Sequence, residues 1–323
     1  MTILTTPVIE TLQQFAQDVR TGLDRSGQKE LPSKYLYDTL GSMLFEAITL
    51  LPEYGLTRAD ERLLKRHSAE IARLTPNQPM VSELGSGSGR KTRAILSAMR
   101  RYGPFSYYPI EISRAALVSC ETELGDIDSV SFVGVESEYL SGLAEVAKRR
   151  KPGEHLMVLF LGSTIGNFDA GADARFLKRV HDILETGDSL LLGTDLVKAR
   201  EVLIDAYDDP RGVTAAFNMN LLGRINRELR ADFDLRQFEH VALFNESTSS
   251  IEMHLRSKRA QAVAIAASEV TIEFRAGETI WTESSHKYTR ADVAALADAS
   301  GFDIQSQWID EEWPFANSLL IAR

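Results

Sequence analysis

The sequence predicts an α/β protein: a mostly parallel sheet with helices on both faces, together with a second, α+β domain. Three observations carry this. From about residue 80, short apolar runs alternate with helical stretches. Between 199 and 286 the alternation gives way to segments of period two, and after 287 it resumes. Strands alternating with helices need crossover connections, and crossovers make neighbouring strands parallel.

The elements follow in order. "PMVSEL" reads as a first strand and "RKTRAILSAMRR" as a helix. "FSYYPIEI" and "VSFVGV" are the second and third strands, followed by the helices "SRAALVSCETEL" and "SEYLSGLAEVAKRR". "HLMVLFLG" is a fourth, almost continuously apolar, as a strand buried on both faces should be. The helix "DARFLKRVHDIL" leads through Gly187 to a fifth strand, "DSLLLGTDL". Residues 199–286 then carry two helical stretches, the second opening at Pro210. The segments "SIEMHLRS", "EVTIEF" and "TIWTE" alternate like half-buried antiparallel strands. Thr289 and Asp292 form a capping box for a last helix, and Gly301 suits its C-terminus. "FDIQSQWI" and "NSLLIAR" close the chain as two strands. The first 59 residues read as helical and stand outside the alternation. The expected division is therefore 60–198 with 287–323, and 1–59 with 199–286.

Composition excludes several classes. With 46 acidic and 36 basic residues the net charge is −10, which disfavours nucleic acid. The run Lys148-Arg149-Arg150-Lys151 fits a solvated helix end. Cys120 is the only cysteine, so no intrachain disulfide can form. No uninterrupted apolar stretch is long enough to span a membrane. The opening "MTILTTPVIETLQQF" lacks the charge and apolar core of a secretory leader, so a cytoplasmic protein is expected. The six histidines show no metal-ligand spacing, and no metal is expected.

"VSELGSGSGRKTRAIL", residues 81–96, raises the question of ligand. A phosphate loop needs a glycine directly before its lysine, and Arg90 stands before Lys91. A dinucleotide fingerprint started at Gly85 or Gly87 puts its third glycine on Arg90 or Thr92. What fits is acidic-x-Gly-x-Gly-x-Gly: Glu83, Gly85, Gly87 and Gly89, the loop used for S-adenosylmethionine. Glycines let the backbone bend and approach the ligand closely, and the acidic residue can balance a positive charge. Glu111, ending the second strand, could accept from both ribose hydroxyls, and Glu136, after the third, could meet the adenine amine. Asn167, after the fourth, can donate and accept, and so could grip an amine and a carboxylate.

Five ordered segments carry a closer resemblance: "LPSKYLYDTLGSMLFEAITLLPEY", "LFLGSTIGNF", "LLLGTDLVK", "AYDDPRGVTAAFNMNLLGRINREL" and "TESSHKY". From about residue 31 onward the chain resembles the histidine-specific, S-adenosylmethionine-dependent Nα-methyltransferases of ergothioneine biosynthesis. The resemblance implies a Rossmann-like, seven-stranded class I methyltransferase domain plus a second α+β substrate-binding domain. It implies trimethylation of the α-amino group of L-histidine to hercynine; a monomer is expected separately from it. Tyr54 then matches a tyrosine bonded to the substrate amine, Asn167 an asparagine touching amine and carboxylate, and Tyr207 a carboxylate-binding tyrosine. Glu283 and Ser285 match the pair that holds the imidazole, and Gly162 a glycine lining the pocket. Tyr37, Gly85, Lys91 and Glu111 match cofactor contacts. The chain departs from the family in "GVES", where Asp-Phe is usual, and in Gly55-Leu56 after "PEY".

The residue types suit the chemistry. An ammonium has no lone pair, and a free α-amine titrates at roughly pH 8, so a proton must leave before each transfer. Tyr54, with a reference pKa of about 10, serves as an orienter and proton relay rather than a base. Its ring, with that of Phe217, could favour a methylated cation. Glu283 can accept an imidazole N–H while Ser285 serves the other nitrogen, a grip that an indole cannot satisfy. His286, one residue on along a strand, points to the other face and reads as structural. The alternatives are an N-methyltransferase of another amino acid, such as a tryptophan derivative, and a non-catalytic protein that binds histidine or S-adenosylmethionine.

Overall fold

The computed structural model describes residues 2–5, 12–76, 79–168 and 171–323. Part of the opening stretch "MTILTTPVIETLQQF" thus lies outside the described residues. In chain order the strands are β1 (Thr2–Thr5), β2 (Lys29–Glu30), β3 (Met80–Leu84), β4 (Phe105–Glu111), β5 (Val130–Glu136), β6 (Leu156–Phe160) and β7 (Ser189–Asp195). They continue with β8 (Phe238–Asn245), β9 (Ser250–Ser257), β10 (Gln261–Ile265), β11 (Val270–Phe274), β12 (Thr279–His286), β13 (Phe302–Asp310) and β14 (Phe315–Ala322).

The chain forms two compact units. The larger comprises β1, Leu56–Val197 and Lys287–Arg323; the other joins the described part of Ile9–Gly55 to Lys198–His286. Two differences from the expected division have plain causes. The helix Leu56–Leu74 runs unbroken across residue 60, with Leu56, Ala59 and Leu63 buried along it. And β1, in a region read as helical, pairs in parallel with β5, from Thr2↔Val133 to Thr5↔Glu136.

The sheet of the larger unit runs β1-β5-β4-β3-β6-β7-β14-β13. Without β1, its strands are the seven expected ones, in the order third, second, first, fourth, fifth, seventh, sixth. All pair in parallel except β14, antiparallel to both neighbours. This is the Rossmann-like, seven-stranded sheet that the sequence leads one to expect, widened by one edge strand. Every residue of β3, β6 and β7 is buried, which explains their apolar sequences. Val158, Phe160, Leu190 and Leu192 pack in one core with Leu177, Val180, Val293 and Leu296 from two covering helices. The chain leaves β3 toward β4 and β5, then returns past it to β6. Crossovers diverge at that point, and ligands bind beyond the carboxyl ends of the strands there.

Local chemistry sets the helix ends. The capping box closes, with Asp292 N donating to Thr289 Oγ1 at 3.1 Å and Thr289 N to Asp292 Oδ2 at 2.8 Å. The helix expected from Arg90 begins at Arg93, because Thr92 N bonds Gly89 O at 3.0 Å and keeps the preceding residues in the loop. The helix expected at Pro210 begins at Val213. There the Asp209 carboxylate accepts from Arg211 N, Val213 N and Thr214 N at 2.7–3.1 Å, satisfying orphan donors of the first turn.

The second unit holds a four-stranded sheet, β2-β12-β9-β8, and the hairpin β10-β11. The sequence predicts β9, β11 and β12 but not β2, β8 or β10. Strand β12 runs on to His286 and carries a register shift between Trp281 and Glu283. Beyond the shift, Glu283 pairs with Met253 and Ser285 with Ile251, so both share one face of the sheet.

Candidate active site

In the larger unit the glycine loop follows β3. Gly85, Gly87 and Gly89 have φ of 75°, 52° and 76°, a region that other residues enter at a cost. Gly89 also needs the space: a Cβ there would stand 2.7 Å from Cys120 Sγ and 2.8 Å from Leu124 Cδ1. At Gly87 a Cβ would meet nothing within 4 Å, so the crest of the loop is open.

Glu83 shapes this loop from within. It is 1% exposed. Thr92 Oγ1 donates to both of its oxygens at 2.8 Å, and the Tyr107 hydroxyl makes a short bond to Oε2. Burial pushes its carboxyl up to about 7, against those hydroxyls. The structure therefore corrects one expectation: Glu83 braces the loop instead of presenting a free carboxylate to a cation. Glu111 ties the loop to the end of β4, accepting from Gly87 N at 3.4 Å, Ile112 N at 2.9 Å and Ser113 N at 3.3 Å. Burial raises its carboxyl, and the three N–H groups oppose that rise. Glu136, half-buried at the end of β5, accepts from Arg114 at 3.4 Å.

Beyond β6, Gly162 and Ser163 both adopt positive φ, 70° and 58°. Ser163 Oγ accepts from Asp195 N at 2.8 Å. Asn167 ends the short helix Thr164–Asn167 and is half-buried; among the described residues none hydrogen-bonds its side-chain amide. Tyr288 Oη donates to Ile165 O at 3.3 Å and to Asp173 Oδ2 at 3.2 Å, steadying this turn. Lys287, fully buried, pairs with Asp195 at 3.0 Å. Lys91 Nζ reaches Asp60 Oδ2 at 3.1 Å.

The second unit gathers rings and hydroxyls. Tyr207 Oη donates to Ser285 Oγ at 2.8 Å, a buried contact. Tyr54 packs its ring edgewise on Tyr207 at 5.9 Å, and both are 7% exposed. The aromatic chain continues from Tyr54 to Phe45 at 6.5 Å, and Phe45 touches Tyr37 and Phe217 at 5.6 and 6.0 Å. Glu283, 9% exposed, lies two residues before Ser285 on β12. His240 holds the Tyr207 backbone: its Nε2 meets Tyr207 O at 2.8 Å, and its Nδ1 meets Asn218 Nδ2 at 2.9 Å. The partners assign Nε2–H as donor and Nδ1 as acceptor. Burial lowers the ring's pKa and keeps it in that neutral form. His286 bonds Thr248 O at 3.1 Å, a structural contact.

Comparison with known proteins decides the family. A family described as "Histidine-specific methyltransferase, SAM-dependent" matches residues 15–322. The chain belongs to that family. It is 42% identical over 305 residues to the histidine N-alpha-methyltransferase of Mycobacterium tuberculosis, covering 94% of this chain and 93% of that protein. The histidine N-alpha-methyltransferase of Mycolicibacterium smegmatis is 43% identical over 315 residues, with 96% and 95% covered. Ergothioneine biosynthesis protein 1 of Neurospora crassa is 34% identical over 203 residues, 62% of this chain and 23% of that protein. The family depends on S-adenosylmethionine, and the residues present fit it: an open glycine crest at Gly87 and a strand-end carboxylate at Glu111.

Several contributors escaped the sequence reading. Asp60, Tyr107 and His240 sit in ordinary-looking stretches; Thr92 stands inside the quoted glycine-loop segment and Asp195 inside "LLLGTDLVK", but the partners of both are set only by the fold. Lys287 and Tyr288 did stand inside the quoted "TESSHKY", where their rank as a motif was the available signal. No helix among the described residues is long and apolar enough to cross a membrane, and none of their acidic, His or Cys clusters could hold a metal ion.

Proposed function

We propose that this chain transfers three methyl groups from S-adenosylmethionine to the α-amino group of L-histidine, giving hercynine, a step in ergothioneine biosynthesis. Family membership and two relatives matched along more than nine-tenths of their length support the reaction. One geometric observation supports the substrate: Glu283 and the Tyr207–Ser285 pair are buried together on one face of β12. A buried carboxylate and hydroxyl suit a ring with one N–H and one bare nitrogen. The Ser285 hydroxyl can donate to the bare nitrogen while Glu283 accepts the N–H.

S-adenosylmethionine supplies an electrophilic methyl group on a sulfonium. The chain's residues bind and orient, and the proton of the amine leaves by way of the Tyr54 hydroxyl to solvent. Gly85, Gly87, Gly89, Lys91, Glu111 and Tyr37 hold the donor, with Glu136 at its adenine end. Asn167 bonds the substrate amine and carboxylate, and Gly162 leaves room beside it. Tyr207 serves the carboxylate, for which its proton must turn away from Ser285. Tyr54 accepts from the amine and aims its lone pair, and alignment of this kind supplies much of the acceleration in such transfers. Incubation of the protein with histidine and S-adenosylmethionine should yield mono-, di- and trimethylated histidine by mass. Transfer to another amino acid and none to histidine would remove the substrate assignment; binding without turnover would remove the reaction.

A further inference from the structure

Asp60 lies on the helix Leu56–Leu74 within the charged run "TRADER", yet it is 0% exposed. A carboxylate at such depth is stable only with partners. Asp60 has three, from three distant parts of the larger unit. Lys91 Nζ donates to Oδ2 at 3.1 Å, Gly162 N to the same oxygen at 3.0 Å, and Asn317 Nδ2 to Oδ1 at 3.1 Å. The Lys91 ammonium lies close over Gly162, in space that a Cβ there would take, since one would stand 2.7 Å from Nζ. One buried carboxylate thus fixes the lysine at the end of the glycine loop and the first turn beyond β6. The neighbouring cation, Arg90, is already paired with Glu61 at 3.0 Å.

This placement bears on charge. The donor of the proposed reaction is a sulfonium cation, and its product, S-adenosylhomocysteine, carries a neutral thioether. An uncompensated lysine in the donor site would repel the donor and spare the product. We propose that Asp60 is a positioning residue that neutralises Lys91 and pins it against Gly162, so that the site does not favour S-adenosylhomocysteine over S-adenosylmethionine. The inference rests on the reading of Lys91 as a cofactor contact. It assigns Asp60 a part in limiting product inhibition, a role separate from binding strength as such.

The test is calorimetry with S-adenosylmethionine and S-adenosylhomocysteine on the wild type, Asp60→Asn and Lys91→Met. The readout is the ratio of the two dissociation constants, donor over product. Asp60→Asn adds one positive charge to the pair and should raise the ratio about five-fold, as charge interactions of this range do at intermediate dielectric. Lys91→Met removes one and should lower it by a similar factor. A purely structural role would weaken both ligands equally; an unchanged ratio, or a shift of both variants in one direction, overturns the proposal. Should Asp60→Asn fail to fold, Lys91→Met decides alone, since that side chain is 25% exposed and its loss leaves the other two donors on Asp60. A wild type that binds neither ligand overturns the cofactor reading, and the inference with it. A wild type that binds both while the ratio stays fixed overturns the inference alone.

Discussion

Around the glycine loop and the turn beyond β6, functional groups are braced by buried carboxylates; around Tyr207 they are braced by rings and neutral hydrogen bonds. Glu83, Asp60 and Asp195 are each at most 1% exposed. Asp195 alone takes Lys287 at 3.0 Å and Trp313 Nε1 at 3.0 Å. Asp60 takes a backbone donor from a positive-φ turn, Gly162 N at 3.0 Å, an orphan amide that an acceptor at depth satisfies, while Glu83 and Asp195 take side-chain donors. In the second unit the counterparts stand on a strand and at a helix end, where the ladder already satisfies the backbone. Packing of Tyr37, Phe45, Tyr54, Tyr207 and Phe217 sets their rotamers there. The donor side should therefore respond to pH and charge, and the acceptor side to shape and hydroxyl geometry.

The sharpest way to break this contrast is to strip the polar pair from β12. Glu283→Ala with Ser285→Ala should cut kcat/KM for histidine about 1000-fold, ~4 kcal/mol. The dissociation constant for S-adenosylhomocysteine should stay within about two-fold, and an equal loss there would erase the division of labour. Next is Glu83→Gln. A carboxyl raised from the ordinary glutamate value of 4.5 to about 7 stabilises the fold fully below 4.5, and that contribution is lost as pH rises through about 7. Relative to Glu83→Gln, the wild type should lose up to ~3 kcal/mol between those limits, read by denaturant melts across pH. A difference that is flat or grows with pH contradicts the burial argument. Gly89→Ala should cost ~2 kcal/mol of stability, combining positive φ with overpacking on Cys120 and Leu124. Smallest is Tyr207→Phe. Losing the hydrogen bond to Ser285 should cost ~1 kcal/mol, seen as a roughly five-fold rise in KM for histidine with little change in donor affinity.

Much of this was legible in the sequence. The strand and helix order, the glycine spacing and the strand-end position of Glu111 follow from period and punctuation alone. Family resemblance singled out Tyr54, Asn167, Tyr207, Glu283 and Ser285, whose residue types would not separate them from packed tyrosines or surface charges. Asp60 was not legible. In "LTRADERLLKRH" every acidic residue looks solvated, and only the packing of that helix decides which one goes under. The position of Glu83 was clear from its spacing, but its burial beneath Tyr107 and Thr92, and hence its raised carboxyl, was not. β8 was missed for a related reason: "FEHVALFN" acquires its face only by pairing with β9, from Phe238↔Ser257 to Asn245↔Ser250.

The short strand β1 has a practical consequence. It covers the outer edge of β5, pairing all four of its residues there. An uncovered strand of this kind offers a row of bare amides and carbonyls to any passing chain. Deleting residues 2–5, or fusing a bulky tag against them, should leave turnover per folded molecule intact while promoting self-association and loss from solution. Handling and storage of the purified protein, more than its chemistry, would then depend on those four residues.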